Sequence, residues 1–212
     1  MDTTETKVRY AAATDWPKSS PTLEGATVRL EPLSLDHVAG LVEVGLLPEI
    51  WQWTTVRIES EADMRGYVET ALAEQARGVS LPFATVLRES GVSGKVVGST
   101  RFGNVTPENR RVEIGWTWIS PAWQRTAVNT EAKLLMLRYA FETLGCIRVE
   151  LKTHHENFKS QQAMERLGAV REGVFRNHVI QPDGTLRHSV YYRIAVEDWP
   201  AVKVGLEAKL AR

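Results

Sequence analysis

The stretch Trp116-Thr-Trp-Ile-Ser-Pro-Ala-Trp-Gln-Arg-Thr-Ala-Val-Asn-Thr-Glu-Ala132 holds the densest set of groups able to do chemistry. It reads as a strand running through a short loop of small and polar residues straight into a capped helix. A helix that starts this way leaves several main-chain N–H groups without helical acceptors and aims the positive end of its dipole at one point. Such a point suits a phosphate or pyrophosphate, and Gln124, Arg125, Thr126 and Thr130 add side-chain donors. The plainer alternative is an ordinary strand-to-helix turn. A nucleotide-using kinase is disfavoured, because no Gly-Lys-Ser/Thr follows to reach β- and γ-phosphates. The neighbours His154 and His155 invite a metal reading, but adjacent strand residues point to opposite faces and cannot readily share one ion. No metal is expected.

The elements that must position these groups follow from the patterning. Thr27–Leu33 alternates as a strand, and Ser34 then caps a helix bearing Leu35, Val38, Leu41 and Val42. Ser60-Glu-Ala-Asp63 resembles a capping box ahead of Met64, Val68, Ala71 and Leu72, with Gly78 as the stop. Three strand-like runs come next: Pro82–Arg88, Val96–Phe102 and Arg110–Ile119. Turn-rich Ser90–Gly94 and Gly103–Pro107 separate them, which predicts an antiparallel meander. Asn129 and Thr130 precede a helix over Glu131–Leu144, with an apolar stripe of Leu134, Leu137, Phe141 and Leu144 ended by Gly145. Ile147–Thr153 is a strand, and the connection back to 110–119 has the length of a crossover, which makes that pair parallel. Asn157 caps a short helix ended by Gly168, and strands near 169–178 and 186–194 flank the turn Gln181-Pro-Asp-Gly184. The expectation is an α+β fold with about seven strands in a mixed sheet and four helices, ordered β-α-α-β-β-β-α-β-α-β-β.

Composition bounds the rest. The chain has 212 residues, 26 basic against 26 acidic side chains, and 43% hydrophobic positions. That length suits one generous domain, here residues 25–212, after a Thr-, Ala- and Pro-containing extension over 1–24 that is expected to be flexible, with Trp16 as an anchor. Zero formal charge gives no basic field for nucleic acid or lipid. Cys146 alone permits neither an intrachain disulfide nor a cysteine zinc cluster. With no apolar run long enough to span a bilayer and no secretory leader, the reading is a cytoplasmic protein.

Three separated stretches resemble the GNAT N-acetyltransferase superfamily, in order and spacing. Gln124-Arg-Thr-Ala127-Val-Asn129 resembles its acyl-CoA loop, Gln/Arg-x-x-Gly-x-Gly/Ala. Glu113–Pro121 resembles the preceding strand, and Asn157–Ser160 with Met164–Ala169 resembles the later helix. The ribosomal-protein acetyltransferase branch, the RimJ/RimL type, is the nearest match in pattern, with coverage from about Leu23 to Trp199. The loop departs from the pattern at Ala127 and Asn129, where glycine is usual and lets backbone approach a pyrophosphate closely. Ala127 is unstrained there only with φ below zero.

The resemblance implies acetyl-CoA as co-substrate, with the strands at 110–119 and 147–154 splayed apart around it. Pantetheine would lie along Thr117, Trp118 and Ile119, and the pyrophosphate over Gln124, Arg125, Thr126, Ala127, Val128, Asn129 and Thr130. An acyl group would pass to a primary amine by direct attack in a ternary complex, with a main-chain N–H near Ile119 on the oxyanion. The amine must be neutral to attack, so a base helps. Glu113 reads equally as that base or as the cross-strand partner of Arg110 or Arg111. In the family pattern Ser160 is the acid for the departing thiolate and Asn157 a pantetheine ligand; alternatively Asn157 is only a helix cap and Ser160 only solvated. Trp51 and Trp53 are expected to form an acceptor wall, since two tryptophans one residue apart on a loop are rarely both buried. Arg57, Glu59, Tyr67 and His178 are further acceptor-side candidates. The acceptor is a small-molecule amine or a protein N-terminus, and a homodimer could form through the hairpin at 169–194. The competing reading is a CoA-binding module with little turnover, which rests on Ala127 and Asn129.

Overall fold

The computed structural model describes residues 9–13, 16–88 and 94–211. The expected turn at Ser90–Gly94 lies outside them except for Gly94, as does the start of the N-terminal extension. Leu23–Glu24 (β1) and Val28–Pro32 (β2) open the sheet as an antiparallel pair. Leu81–Leu87 (β3), Val96–Thr106 (β4) and Arg111–Ile119 (β5) continue it as the expected antiparallel meander. Arg148–His154 (β6) pairs with β5 in parallel, and Val170–Ile180 (β7) with Leu186–Ala195 (β8) forms a hairpin whose second strand lies against β6. The strand order is β1-β2-β3-β4-β5-β6-β8-β7.

Alternation along the strands sends neighbours to opposite faces, each with its own core. Leu30, Phe83, Phe102, Val112 and Ile114 face one core, where Ala127–Arg138 (α4), Phe158–Leu167 (α5) and Trp199–Leu210 (α6) bring Val128, Leu137, Met164, Leu167 and Leu206. Ala84, Val86 and Trp118 face the other, against Val38–Gly45 (α1), Pro48–Trp51 (α2) and Glu61–Ala76 (α3). The second set of helices packs mainly on β3 and β4, and over β6 and β8 the segment after α2 lays Trp53 against His154 and Arg187.

The count of about seven strands and four helices is corrected to eight strands and six α-helices among the described residues, and the stated order falls with it. The three additions are β1, α2 and α6. Two residues are too few for β1 to show a period, and the four of α2 too few for a stripe. Helix α6 opens on Trp199-Pro200, where proline serves as a helix starter rather than a breaker. The expected turn Gly103–Pro107 is largely strand. Asn104, at φ 47°, bends β4 without ending it, and the reversal falls at Pro107–Asn109 with Arg110 at φ 46°.

The N-terminal extension makes contacts: Arg110 Nε donates to the Ala11 carbonyl at 2.6 Å, and Trp16 packs on the first core.

Candidate active site

Strands β5 and β6 part early. Their parallel register covers only Arg111, Val112 and Glu113 against Arg148, Val149 and Glu150. Beyond that point β6 follows β8 alone, while Gly115 to Ile119 stay with β4. A bulge sharpens the break, since Trp116 holds φ 48° and the β4 register shifts beside it. The edge of β5 at Thr117, Trp118 and Ile119 therefore faces a gap rather than a neighbouring strand. The Trp118 side chain is buried in the α1–α3 core and Ile119 in the opposite one, so only their backbone is available to the gap.

The gap leads to the N-terminus of α4. Gln124 folds back, its Nε2 donating to the Ile119 carbonyl at 2.9 Å. Arg125 takes the left-handed conformation, φ 64°, and keeps its side chain exposed. Thr126 is the N-cap: its Oγ1 donates to the Trp123 carbonyl and accepts from Val128 N–H at 3.3 Å. The helix thus begins at Ala127, four residues before the expected Glu131. Ala127 and Asn129 are both helical, so neither needs the freedom of glycine; the left-handed residue in this loop is Arg125. With Val128 capped and buried, the N–H groups of Ala127 and Asn129 keep no helical acceptor, and Thr130 completes the turn half-buried. Free amides, an exposed guanidinium and an exposed alanine methyl in place of a bulky side chain fit a diphosphate.

Behind β5 lies Lys133, which sequence reasoning missed. Its Nζ donates to Thr117 Oγ1 at 2.7 Å and sits 3.4 Å from Thr100 Oγ1. Among the described residues these two hydroxyls are its hydrogen-bond partners, and burial pushes the amine down to about 7. A signal was present: Lys133 stands one helical turn before Leu137 on the core-facing stripe.

On the other face Glu113 is 3% exposed, and its Oε2 accepts from Asn104 Nδ2 at 2.7 Å and Lys152 Nζ at 2.9 Å. Neither expected arginine is its partner, because Arg111 pairs with Glu150, and Arg110 reaches the Ala11 and Gly145 carbonyls. Glu113 also lines a cleft of about 580 Å³ with Asn104, Arg111, Arg148, Glu172, Phe175 and Tyr191. His178 stands beside it, Nε2 3.2 Å from Tyr191 OH and Nδ1 3.0 Å from Ser189 Oγ. Burial, then Lys152 and Arg187, lower its pKa.

The expected acceptor wall divides. Trp51 is 2% exposed, on α2 rather than a loop, with its indole N–H on the Gly45 carbonyl at 2.7 Å and its ring against Tyr67 and Trp118. It is a core residue. Trp53 is half-buried, lies 4.9 Å from the His154 ring and accepts from Arg187 through its carbonyl. Tyr67 OH donates to the Trp116 carbonyl at 3.3 Å, behind the bulge. Arg57 binds the Trp51 carbonyl and Glu59 N–H meets Asp63, so both serve the α2–α3 connection. Asn157 caps α5, its Oδ1 accepting from Ser160 N–H at 3.1 Å, and leaves the half-buried Ser160 hydroxyl in the first turn. His154 and His155 stack at 4.6 Å rather than diverging, because β6 ends at His154 and strand alternation stops there. Among the described residues no group of His, Cys, Asp and Glu side chains converges to hold a metal ion.

The model of the acetyltransferase (GNAT) domain family matches residues 27–170. The chain belongs to the GNAT acetyltransferase family. Its acyl-transfer chemistry in general and an acyl-CoA co-substrate follow from that membership, and the co-substrate supplies an activated thioester carbonyl. A GCN5-related N-acetyltransferase from Brucella melitensis superposes with a TM-score of 0.85 at 28% identity, covering 94% of this chain and 88% of that one. The FsC-acetyl coenzyme A-N(2)-transacetylase of Aspergillus fumigatus is 29% identical over 190 residues, 86% of this GNAT chain and 79% of the relative. Bacillus subtilis YdaF is 31% identical over 110 residues, which span 52% of this chain and 59% of YdaF. Among the described residues no helix is long and apolar enough to cross a membrane.

Proposed function

We propose that this GNAT protein moves an acetyl group from acetyl-CoA to a primary amine by direct attack within a ternary complex. The observation that carries the reading is the parting of β5 from β6 after Glu113, beside a helix N-terminus with uncapped amides. The amides of Ala127 and Asn129 and the Arg125 side chain bind the diphosphate, and the free edge of β5 at Thr117–Ile119 orients the pantetheine arm. An N–H near Ile119 faces the carbonyl oxygen as it gains charge. Glu113 takes the ammonium proton of the acceptor, directly or through water, and Ser160 returns a proton to the departing sulfur. Asn157 sets the start of α5 and with it the place of Ser160, and Trp53 lines the acceptor side. The alternative of a CoA-binding module without turnover loses its ground, because Ala127 and Asn129 sit unstrained in the helix. The name of YdaF carries a ribosomal N-acetyltransferase assignment, which keeps a protein N-terminus among the acceptors beside small amines.

Free thiol released from acetyl-CoA, measured against a panel of amines and peptide N-termini, tests the reading. Amine-dependent release supports it; thermal stabilisation by CoA without release from any acceptor contradicts it. Ser160→Ala should lower kcat by roughly tenfold or more while leaving CoA affinity within about twofold. Equal losses in both would make Ser160 a binding residue.

A further inference from the structure

The carboxylate assigned to the acceptor already holds an ammonium group. Lys152 Nζ lies 2.9 Å from Glu113 Oε2, and the same nitrogen stands 5.8 Å from the ring centroids of both Trp116 and Tyr191. That separation is within range for attraction between a cation and an aromatic face. A buried carboxylate and two ring faces make a receptor for a primary ammonium, whoever supplies it.

The receptor is held in shape without help from Lys152. Asn104 Nδ2 fixes the Glu113 carboxylate at 2.7 Å. Phe175 stacks on Tyr191 at 4.3 Å, and the Tyr191 hydroxyl reaches His178. Two glycines make room: a Cβ on Gly103 would overlap the Trp116 ring, and one on Gly115 would crowd Glu113 Oε1. The bulge that turns Trp116 toward this face is the same one that parts β5 from β6. Glu113, Asn104 and Tyr191 all line the 580 Å³ cleft, so the receptor opens on a space large enough for a second molecule. Its occupant, by contrast, is the tip of a flexible four-carbon stem on β6, and 22% of that side chain is exposed.

We infer that Glu113, Asn104, Trp116 and Tyr191 form the subsite for the acceptor's ammonium group, and that Lys152 is an internal occupant which the acceptor displaces. The inference rests on the acyl-transfer reading above and adds to it the place of the acceptor's ammonium group and a gate. The acceptor is a cationic primary amine. Alcohols and carboxylates gain nothing from these four residues. Lys152 raises the acceptor concentration needed for saturation without taking part in the chemistry.

n-Butylamine, which copies the lysine stem, is the probe. It is titrated calorimetrically into the full chain and used as acceptor with acetyl-CoA. Lys152→Met should bind it about tenfold more tightly than the unmodified protein, a difference of about 1.4 kcal/mol, and lower its KM similarly at near-constant kcat. Lys152→Arg keeps a cation in place and should stay within about twofold of the unmodified protein. Glu113→Gln added to Lys152→Met should remove the gain. A folded Lys152→Met protein that binds no more tightly overturns the inference, and so does a gain that survives Glu113→Gln. Should the methionine variant fail to fold, the unmodified protein decides. Saturating n-butylamine must then shift the Lys152 side-chain NMR resonances as its Nζ leaves Glu113 and the two rings, and unchanged resonances overturn the inference. CoA binding is measured on the same samples. Its absence with the amine result intact would defeat the acyl-transfer reading and leave the subsite standing.

Discussion

Lys133 and Asn129 sit on one helix and respond to charge in opposite ways. Lys133 is buried against hydroxyls with its amine near 7, whereas an unfolded lysine keeps its proton to about 10.4. Between those values the unfolded chain binds more protons, so stability from this residue is complete above about pH 10 and is lost as pH falls toward 7. Urea unfolding of Lys133→Met should therefore show a flatter rise of stability over pH 7 to 10 than the unmodified protein, and parallel curves would contradict that. Asn129→Asp puts a carboxylate in the first turn of α4, where it favours the helix dipole by about 0.5 kcal/mol but opposes a bound diphosphate. Melting temperature should hold or rise slightly while CoA affinity falls by roughly tenfold or more, as calorimetry would read it. Residue identity marked the strand-to-helix junction in advance, but not that Gln124 and Thr126 donate to the Ile119 and Trp123 carbonyls. The partners of Glu113 were not legible, since Asn104 and Lys152 meet it across two different strands, and the burial of Trp51 depends on Tyr67 and Trp118 arriving from elsewhere.

Helix α4 is the element on which the site turns, and it is tied at its start by Glu131. That carboxylate, 7% exposed, accepts from the N–H groups of Ala26, Thr27 and Val28 at 2.8, 2.7 and 2.7 Å. One side chain thus fastens the β1–β2 turn to the helix four residues after its first. An amide there can accept through only one atom and sets donors against donors. Glu131→Gln should cost about 3 kcal/mol in denaturant unfolding, and a loss below about 1 kcal/mol would show that the three hydrogen bonds are replaceable. The helices with caps and stripes were readable: Ser60 accepts from Asp63 N–H as its motif predicts, and Asn157 caps α5. The start of α4 was not, because Thr126 and Asn129 are both competent caps and local sequence does not rank them. Short α2 and proline-started α6 lacked any period strong enough to stand out from loop.

The molecule as a whole divides the work between the two faces of one sheet. Helices α4 to α6 cover one face, and α4 presents its amides at the mouth of the β5–β6 gap. On the other face α1 to α3 stop over β3 and β4, leaving Glu113, Tyr191 and Lys152 beside an open cleft. In this account the thioester arrives through the gap and the amine through the cleft, and the bulge at Trp116 is where they meet. The meander and the parallel β5–β6 pair could be read from alternation and connection length. The cleft could not, because its walls come from β4, β5, β6, β7 and β8, whose packing no local pattern records. The most direct measurement is amide hydrogen exchange with and without CoA. The account predicts slowed exchange at residues 115–119 and 124–130 together, with little change across β7. Protection confined to other segments, or no protection at saturating CoA, would contradict it.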